Sequence, residues 1–139
     1  MSARVVIDTS VAFKWFVAYG ETGLDEAWAL LNDHRKGRTT LLAPALALAE
    51  VANLLRTSGL AEDDARALFE EYERAHVVHF ELTASLVRRA LPLAFTHRIT
   101  AYDALFLALA QELECPLVTA DRRAFASIPP EVAEVQLLP

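Results

Sequence analysis

The stretch RVVIDTSVAFKWF, residues 4–16, decides how the chain is read. Val5-Val6-Ile7 is an unbroken run of β-branched apolar residues, which suits a strand covered on both faces. It stops at Asp8-Thr9-Ser10, and apolar sequence resumes at Val11. Residues 4–8 therefore read as a buried strand and residues 10–17 as a short helix, with a carboxylate at the joint. Such a carboxylate is either a routine helix cap or the first piece of a site.

The same alternation of short strands and helices runs through the rest of the sequence. The apolar spacing predicts helices over residues 24–35, from Pro44 to about Thr57, and over residues 60–75, 84–95 and 101–113. Strands are expected at residues 40–43, 77–80, 116–119 and 135–137, with a helical turn at 121–125. Strands separated by helices imply a parallel sheet with helices on both faces, an α/β sandwich. Such sheets bind ligands at the carboxyl ends of their strands, near a topological switch point. Asp8 ends the first strand and Asp121 follows the fourth, so two acids are expected on that edge.

Composition narrows the classes. The 139 residues fit one domain spanning 1–139, and 54% hydrophobic residues point to a packed globule. No signal-peptide pattern opens the sequence, and the longest weakly charged run, residues 39–55, is too short and interrupted for a membrane span. A single cysteine, Cys115, excludes an intrachain disulfide and suits a cytoplasmic setting. The net charge of −6 argues against a protein that coats nucleic acid nonspecifically. No phosphate loop, dinucleotide fingerprint, serine elbow or CxxC pair occurs. His76 and His79, three apart around a strand, face opposite ways and do not suit a shared metal.

Three acids stand alone in apolar surroundings. Asp8 is the only acid up to Gly20, Glu50 the only charge in TTLLAPALALAEVANLL, and Asp103 the only charge in ITAYDALFLALAQ. Residues 104–110 are apolar all round, the mark of a helix buried on every side, so Asp103 at its start is poorly hydrated. Singly, each acid has an ordinary structural reading. Asp8 and Asp121 are possible N-caps, Thr100 and Asp103 resemble a capping box, and Glu50 can pair with an arginine. Four such acids cannot all find private partners among 13 Lys and Arg that mostly lie in exposed segments. Two carboxylates about 5 Å apart at an effective dielectric of about 20 repel by roughly 3 kcal/mol. A divalent cation offsets that repulsion, and oxygen ligands without His or Cys favour Mg²⁺ or Mn²⁺ over zinc.

The segments VVIDTSVAFKWF, ALAEVANLL, AYDALFLALA and LVTADRRAF, in this order and spanning nearly the whole chain, resemble the PIN-domain ribonucleases. The likeness is strongest to the VapC toxins of bacterial toxin–antitoxin pairs. That resemblance implies a three-layer α/β/α sandwich around a mostly parallel sheet. It also implies an acidic quartet, Asp8, Glu50, Asp103 and Asp121, around one or two Mg²⁺ or Mn²⁺ ions. By the same resemblance Ser10 and Thr119 match supporting hydroxyls, and Asn53 a bracing amide. The implied activity is hydrolysis of RNA to a 5′-phosphate and a 3′-hydroxyl. The implied partners are RNA, a cognate antitoxin whose tail fills the acidic groove, and a second copy of the chain, met through helices at residues 45–55 and 60–72. Arg88, Arg89, Arg98, Arg122 and Arg123 stand as candidates for phosphate contacts.

Two other classes compete. A non-catalytic binding module on the same scaffold would be favoured by the loss of an acid, and all four are present. A receiver-type phosphoacceptor needs paired acids near the first strand, where VVIDTS supplies one acid and two hydroxyls. The aromatic residues beside Asp8, Phe13, Trp15 and Phe16, read either as core or as base-stacking platforms, with core the commoner role.

Overall fold

The computed structural model describes residues 3–16 and 20–139. Five strands, β1 (Ala3–Ile7), β2 (Thr39–Pro44), β3 (Val78–Phe80), β4 (Leu117–Thr119) and β5 (Val135–Leu137), form one sheet in the order β3-β2-β1-β4-β5. Every pairing is parallel, from Ala3 against Thr39 on one side of β1 to Val6 against Leu117 on the other. The helices are α1 (Thr9–Phe13), α2 (Leu24–Arg35), α3 (Leu46–Thr57), α4 (Glu62–Arg74), α5 (Ala84–His97), α6 (Ala101–Leu113) and α7 (Arg122–Phe125).

Successive residues of a strand point to opposite faces. Val5, Val6 and Ile7 are all buried, as are Leu41 to Pro44 and Leu117 to Thr119, so both faces of the central strands are covered. This is the three-layer α/β sandwich that the continuous apolar runs predict. The strand order reverses direction at β1, where the chain first builds outward through β2 and β3 and then returns to add β4 and β5. The carboxyl ends of β1 and β4 therefore flank the switch point.

Helix α6 lies at the centre. Residues 104–110 are all buried, none more than 6% exposed, and the helix packs on α5, β1, β2 and β4. Burying Leu105, Phe106, Leu107 and Leu109, at about 1.5–3 kcal/mol each, secures this helix firmly enough to carry a poorly hydrated carboxylate in its first turn. Among the described residues no helix is long and apolar enough to cross a membrane.

Several boundaries differ from the sequence expectation. Pro44 ends β2, pairing in register with Phe80, instead of opening α3. Its missing N–H is harmless there, and Ala45 makes the next bond, to Phe80 O at 2.8 Å. Helix α4 starts at Glu62, after an extended Ala61, so that Glu62, Asp63 and Asp64 fill a first turn that favours negative charge. Helix α5 runs on through Pro92 to His97 and stops at Arg98, which takes a left-handed conformation at φ 55°. The first helix ends at Phe13, and Val17, its expected end, lies outside the described residues.

Candidate active site

A groove of roughly 590 Å³ opens at the carboxyl edge of the sheet. Asp8, Glu50, Asp103 and Asp121 all line it, from four different elements. Asp8 follows β1, Glu50 lies on α3, Asp103 in the first turn of α6, and Asp121 follows β4.

Asp8 is only 6% exposed and N-caps α1. Its Oδ2 accepts from the Ser10 hydroxyl at 2.6 Å, the Thr119 hydroxyl at 3.1 Å and the Ser10 amide at 3.4 Å. Those hydroxyls are themselves fixed. The Ala120 amide donates to Ser10 Oγ at 3.0 Å, and the Asp121 amide to Thr119 Oγ1 at 2.9 Å. Ser10 and Thr119 thus staple the ends of β1 and β4 together through one carboxylate oxygen. Oδ1 takes no hydrogen bond. Since no buried side-chain N or O lacks a partner among the described residues, Oδ1 must be open to the groove.

Glu50 Oε1 accepts from the Thr9 hydroxyl at 2.7 Å. Asp121 caps α7 through a bond from the Ala124 amide to Oδ1 at 3.1 Å. At Asp103 the capping box is half made. The Asp103 amide donates to Thr100 Oγ1 at 3.0 Å, but no bond runs from the Thr100 amide back to the carboxylate. None of the four acids forms an ion pair among the described residues.

The electrostatics follow from that geometry. Burial pushes the Asp8 carboxyl above its ordinary value, the Ser10 and Thr119 hydroxyls pull it back, and the Asp121 charge raises it again. Glu50 is raised by burial, lowered by Thr9, and raised further by Asp8 and Asp103. Asp103 is raised by burial and then by Asp8, with Thr100 opposing and Asp121 adding. The quartet is one mutually repelling cluster.

Four carboxylates with two nearby hydroxyls, and no imidazole or thiol in the lining, suit a hard divalent cation by charge and donor chemistry. Among the described residues no three Asp, Glu, His or Cys side chains are gathered closely enough to chelate an ion as they stand. The match is therefore one of chemistry and charge, not of preformed coordination.

The other expected site residues are distributed unevenly. Asn53 lines the groove, and among the described residues its exposed side-chain amide makes no hydrogen bond. Arg122 donates from Nη2 to Leu138 O at 3.1 Å, and Arg123 is exposed beside it on α7. Arg98 is exposed at the end of α5, in the turn leading to α6. Arg89 stands at the other edge of the sheet, near Gln111, Glu114 and Pro116, and Arg88 is exposed one residue before it. Trp15 is core, 7% exposed, with Nε1 donating to Ala27 O at 2.9 Å and its ring stacked on Tyr72.

Lys14, Glu21 and Thr9 escaped the sequence reading. Lys14 Nζ donates to Glu21 Oε2 at 3.0 Å and to Thr22 O at 2.6 Å, with its side chain 8% exposed. Thr22 in turn donates to Pro139 O at 2.8 Å. Gly23, at φ 76°, packs so closely that a Cβ there would lie 2.8 Å from Pro139 O. These contacts hold the loop bearing Glu21 as one wall of the groove. The available signal was that Lys14 is the only Lys or Arg between Arg4 and Arg35, set in the apolar run AFKWF.

The fold and this groove define an α/β domain with an acidic site at its switch point. Residues 5–129 match the PIN domain family, and the chain belongs to it. It is similar to Ribonuclease VapC3 of Pyrobaculum aerophilum, at 36% identity over 89 residues, covering 60% of this chain and 68% of that protein. Among solved structures it resembles VapBC2 of Rickettsia felis bound to a promoter DNA fragment. There the TM-score is 0.76 at 15% identity, over 98% of this chain and 99% of the other. It also resembles VapC20 of Mycobacterium tuberculosis, a toxin that cleaves the sarcin-ricin loop. That match has a TM-score of 0.67 at 19% identity, over 97% and 99% of the two chains.

Proposed function

We propose that the protein is a divalent-metal-dependent endoribonuclease, acting as the toxin of a toxin–antitoxin pair. The observation that carries this reading is the convergence of four unpaired carboxylates from four elements on one groove. Kinship with a ribonuclease of the PIN domain family supports RNA as the substrate.

Asp8, Asp103 and Asp121 would hold Mg²⁺ or Mn²⁺, which when bound supplies charge to shield the scissile phosphate and acidify water. Asp8 offers Oδ1 to the groove while Ser10 and Thr119 fix Oδ2, so its orientation is set before anything binds. Glu50, steadied by Thr9 and raised above its ordinary value, orients the attacking water and accepts its proton. Water adds to phosphorus, the bond to the 3′ oxygen breaks, and that oxygen takes a proton from solvent and leaves as a hydroxyl, giving a 5′-phosphate on the other fragment. Arg98, Arg122 and Arg123 are the basic candidates near this edge for backbone contacts.

An antitoxin tail bearing an arginine would neutralise the same carboxylates. Val87, Leu91 and Phe95, spaced four apart and exposed on α5, form an apolar stripe suited to a second copy of the chain. The chain is read as one domain over 1–139, working in the cytoplasm.

The test is cleavage of structured and unstructured RNAs with Mg²⁺, Mn²⁺ or EDTA, beside a folded Asp8→Asn variant. Metal-dependent products that vanish in the variant are expected. Equal background in both proteins across a broad panel would instead favour a binding module on this scaffold.

A further inference from the structure

The groove has an unusual problem in gripping a polyanion. Lys14 is the only Lys or Arg in its lining, and that ammonium is already engaged by Glu21 and Thr22 O. Besides Glu21, four acids without an ion pair among the described residues face the same space. Electrostatic attraction, which ordinarily supplies much of nucleic-acid affinity, would therefore come in this groove from a bound metal and hardly at all from its side chains.

Among the described residues of the groove lining two are aromatic, the half-buried Phe13 and the exposed Tyr102. Tyr102 stands next to Asp103 and is 62% exposed. Among the described residues it makes no ring contact, and its hydroxyl makes no hydrogen bond. Its backbone is nonetheless fixed, because the next residues of α6 enter the buried run 104–110. Leu46, Ala49 and Leu54 of α3 add apolar surface to the same lining. An exposed ring in a lining with apolar side chains suits a flat ligand with an apolar face, and an unstacked nucleobase is such a ligand.

We propose that Tyr102 is a stacking platform for an unpaired nucleobase flanking the scissile phosphate. This rests on the nuclease reading above. Stacking tolerates any base, so Tyr102 fixes the register of the strand and supplies affinity that the charges of the groove do not.

The experiment measures kcat and KM of the full-length protein on a short single-stranded RNA and on copies carrying an abasic nucleotide on either side of the cleaved bond. Wild type, Tyr102→Phe and Tyr102→Leu are compared, with melting temperature and oligomeric state recorded for each. Tyr102→Leu, which keeps bulk but loses the aromatic face, is expected to raise KM about five- to hundredfold. Tyr102→Phe restores the wild-type KM. An abasic site at the stacked position raises KM for wild type and not for Tyr102→Leu. An unchanged KM in Tyr102→Leu overturns the proposal, as does an abasic penalty equal in both proteins. So does a Tyr102→Leu loss that tracks conversion of a dimer to a monomer, which would make the ring an interface residue. Wild type inactive on every RNA with either metal would overturn the nuclease reading itself, a result distinct from these.

Discussion

At the amino edge of the sheet, Arg4 donates from Nη2 to Leu113 O at 2.9 Å, closing the last turn of α6. Nearby, His34 takes the Leu41 amide on Nδ1 at 3.2 Å and meets His76 O through Nε2 at 3.0 Å, tying α2 to β2 and to the turn before β3. At the carboxyl edge, four carboxylates face one groove without an ion pair, and three of them are held above their ordinary values. One edge satisfies its polar groups, while the other keeps charge uncompensated. The lesson is that frustration is localised where a ligand would relieve it, and the opposite end of the same strands absorbs the cost in hydrogen bonds and packing.

The sharpest way to break this contrast is Glu50→Gln, which keeps the shape and removes the base. Cleavage should fall by about 10²–10⁴ in kcat with the fold intact by circular dichroism. A fully active variant would make Glu50 a bystander held by Thr9. Ser10→Ala comes next, since it removes one of the two hydroxyls steadying Asp8. Activity or metal affinity, read by titration, should drop about 10–100-fold. At the satisfied edge the effect should appear in stability alone. His34→Ala strands the Leu41 amide and the His76 carbonyl, so urea unfolding should lose about 1–3 kcal/mol while metal affinity stays put.

Titration of the acids supplies a subtler test. A carboxylate whose folded pKa exceeds its unfolded value binds more protons in the folded state. Its stability contribution is therefore greatest at low pH and falls as pH rises through the folded value. In EDTA the melting temperature should fall as pH climbs from about 4. Asp103→Asn should flatten that decline and raise the pH 7 melting temperature by about 2–6 °C. A wild-type curve that instead rises with pH would show the acids to be satisfied. The smallest effect separates two arginines. Arg89→Ala should leave RNA affinity unchanged, whereas Arg123→Ala, beside Asp121, should reduce the salt slope of binding by about one.

What was legible in the sequence followed from local pattern. The buried strands and α6 could be read because Val5-Val6-Ile7 and residues 104–110 are apolar in every direction, and burial on all sides leaves no other reading. Asp8, Glu50 and Asp103 stood out because a lone charge in an apolar run has few explanations, and Asp121, with Arg122 and Arg123 beside it, stood out by its place just after the fourth strand. The role of Arg89 was not legible, since it depends on how α5 lies along α6, which brings residue 89 beside Gln111 and away from the groove. Nor could the sequence separate Trp15 from Tyr102. Both are aromatic neighbours of an acid, and only tertiary packing decides that one is covered by Tyr72 and the other left open. Pro44 was misjudged because a proline at a strand end and one at a helix start look alike until the pairing with Phe80 is known.

The bond from Thr119 to Asp8 spans 111 positions of sequence. Asp8 leaves the ribosome well before Thr119, so although Ser10 can hold its carboxylate early, the Thr119 bond waits for β4, and Asp121 follows only after β4. The acidic groove is thus a late product of synthesis, absent from every nascent chain that stops short of Asp121. Truncated translation products of this protein, however abundant, would lack the groove.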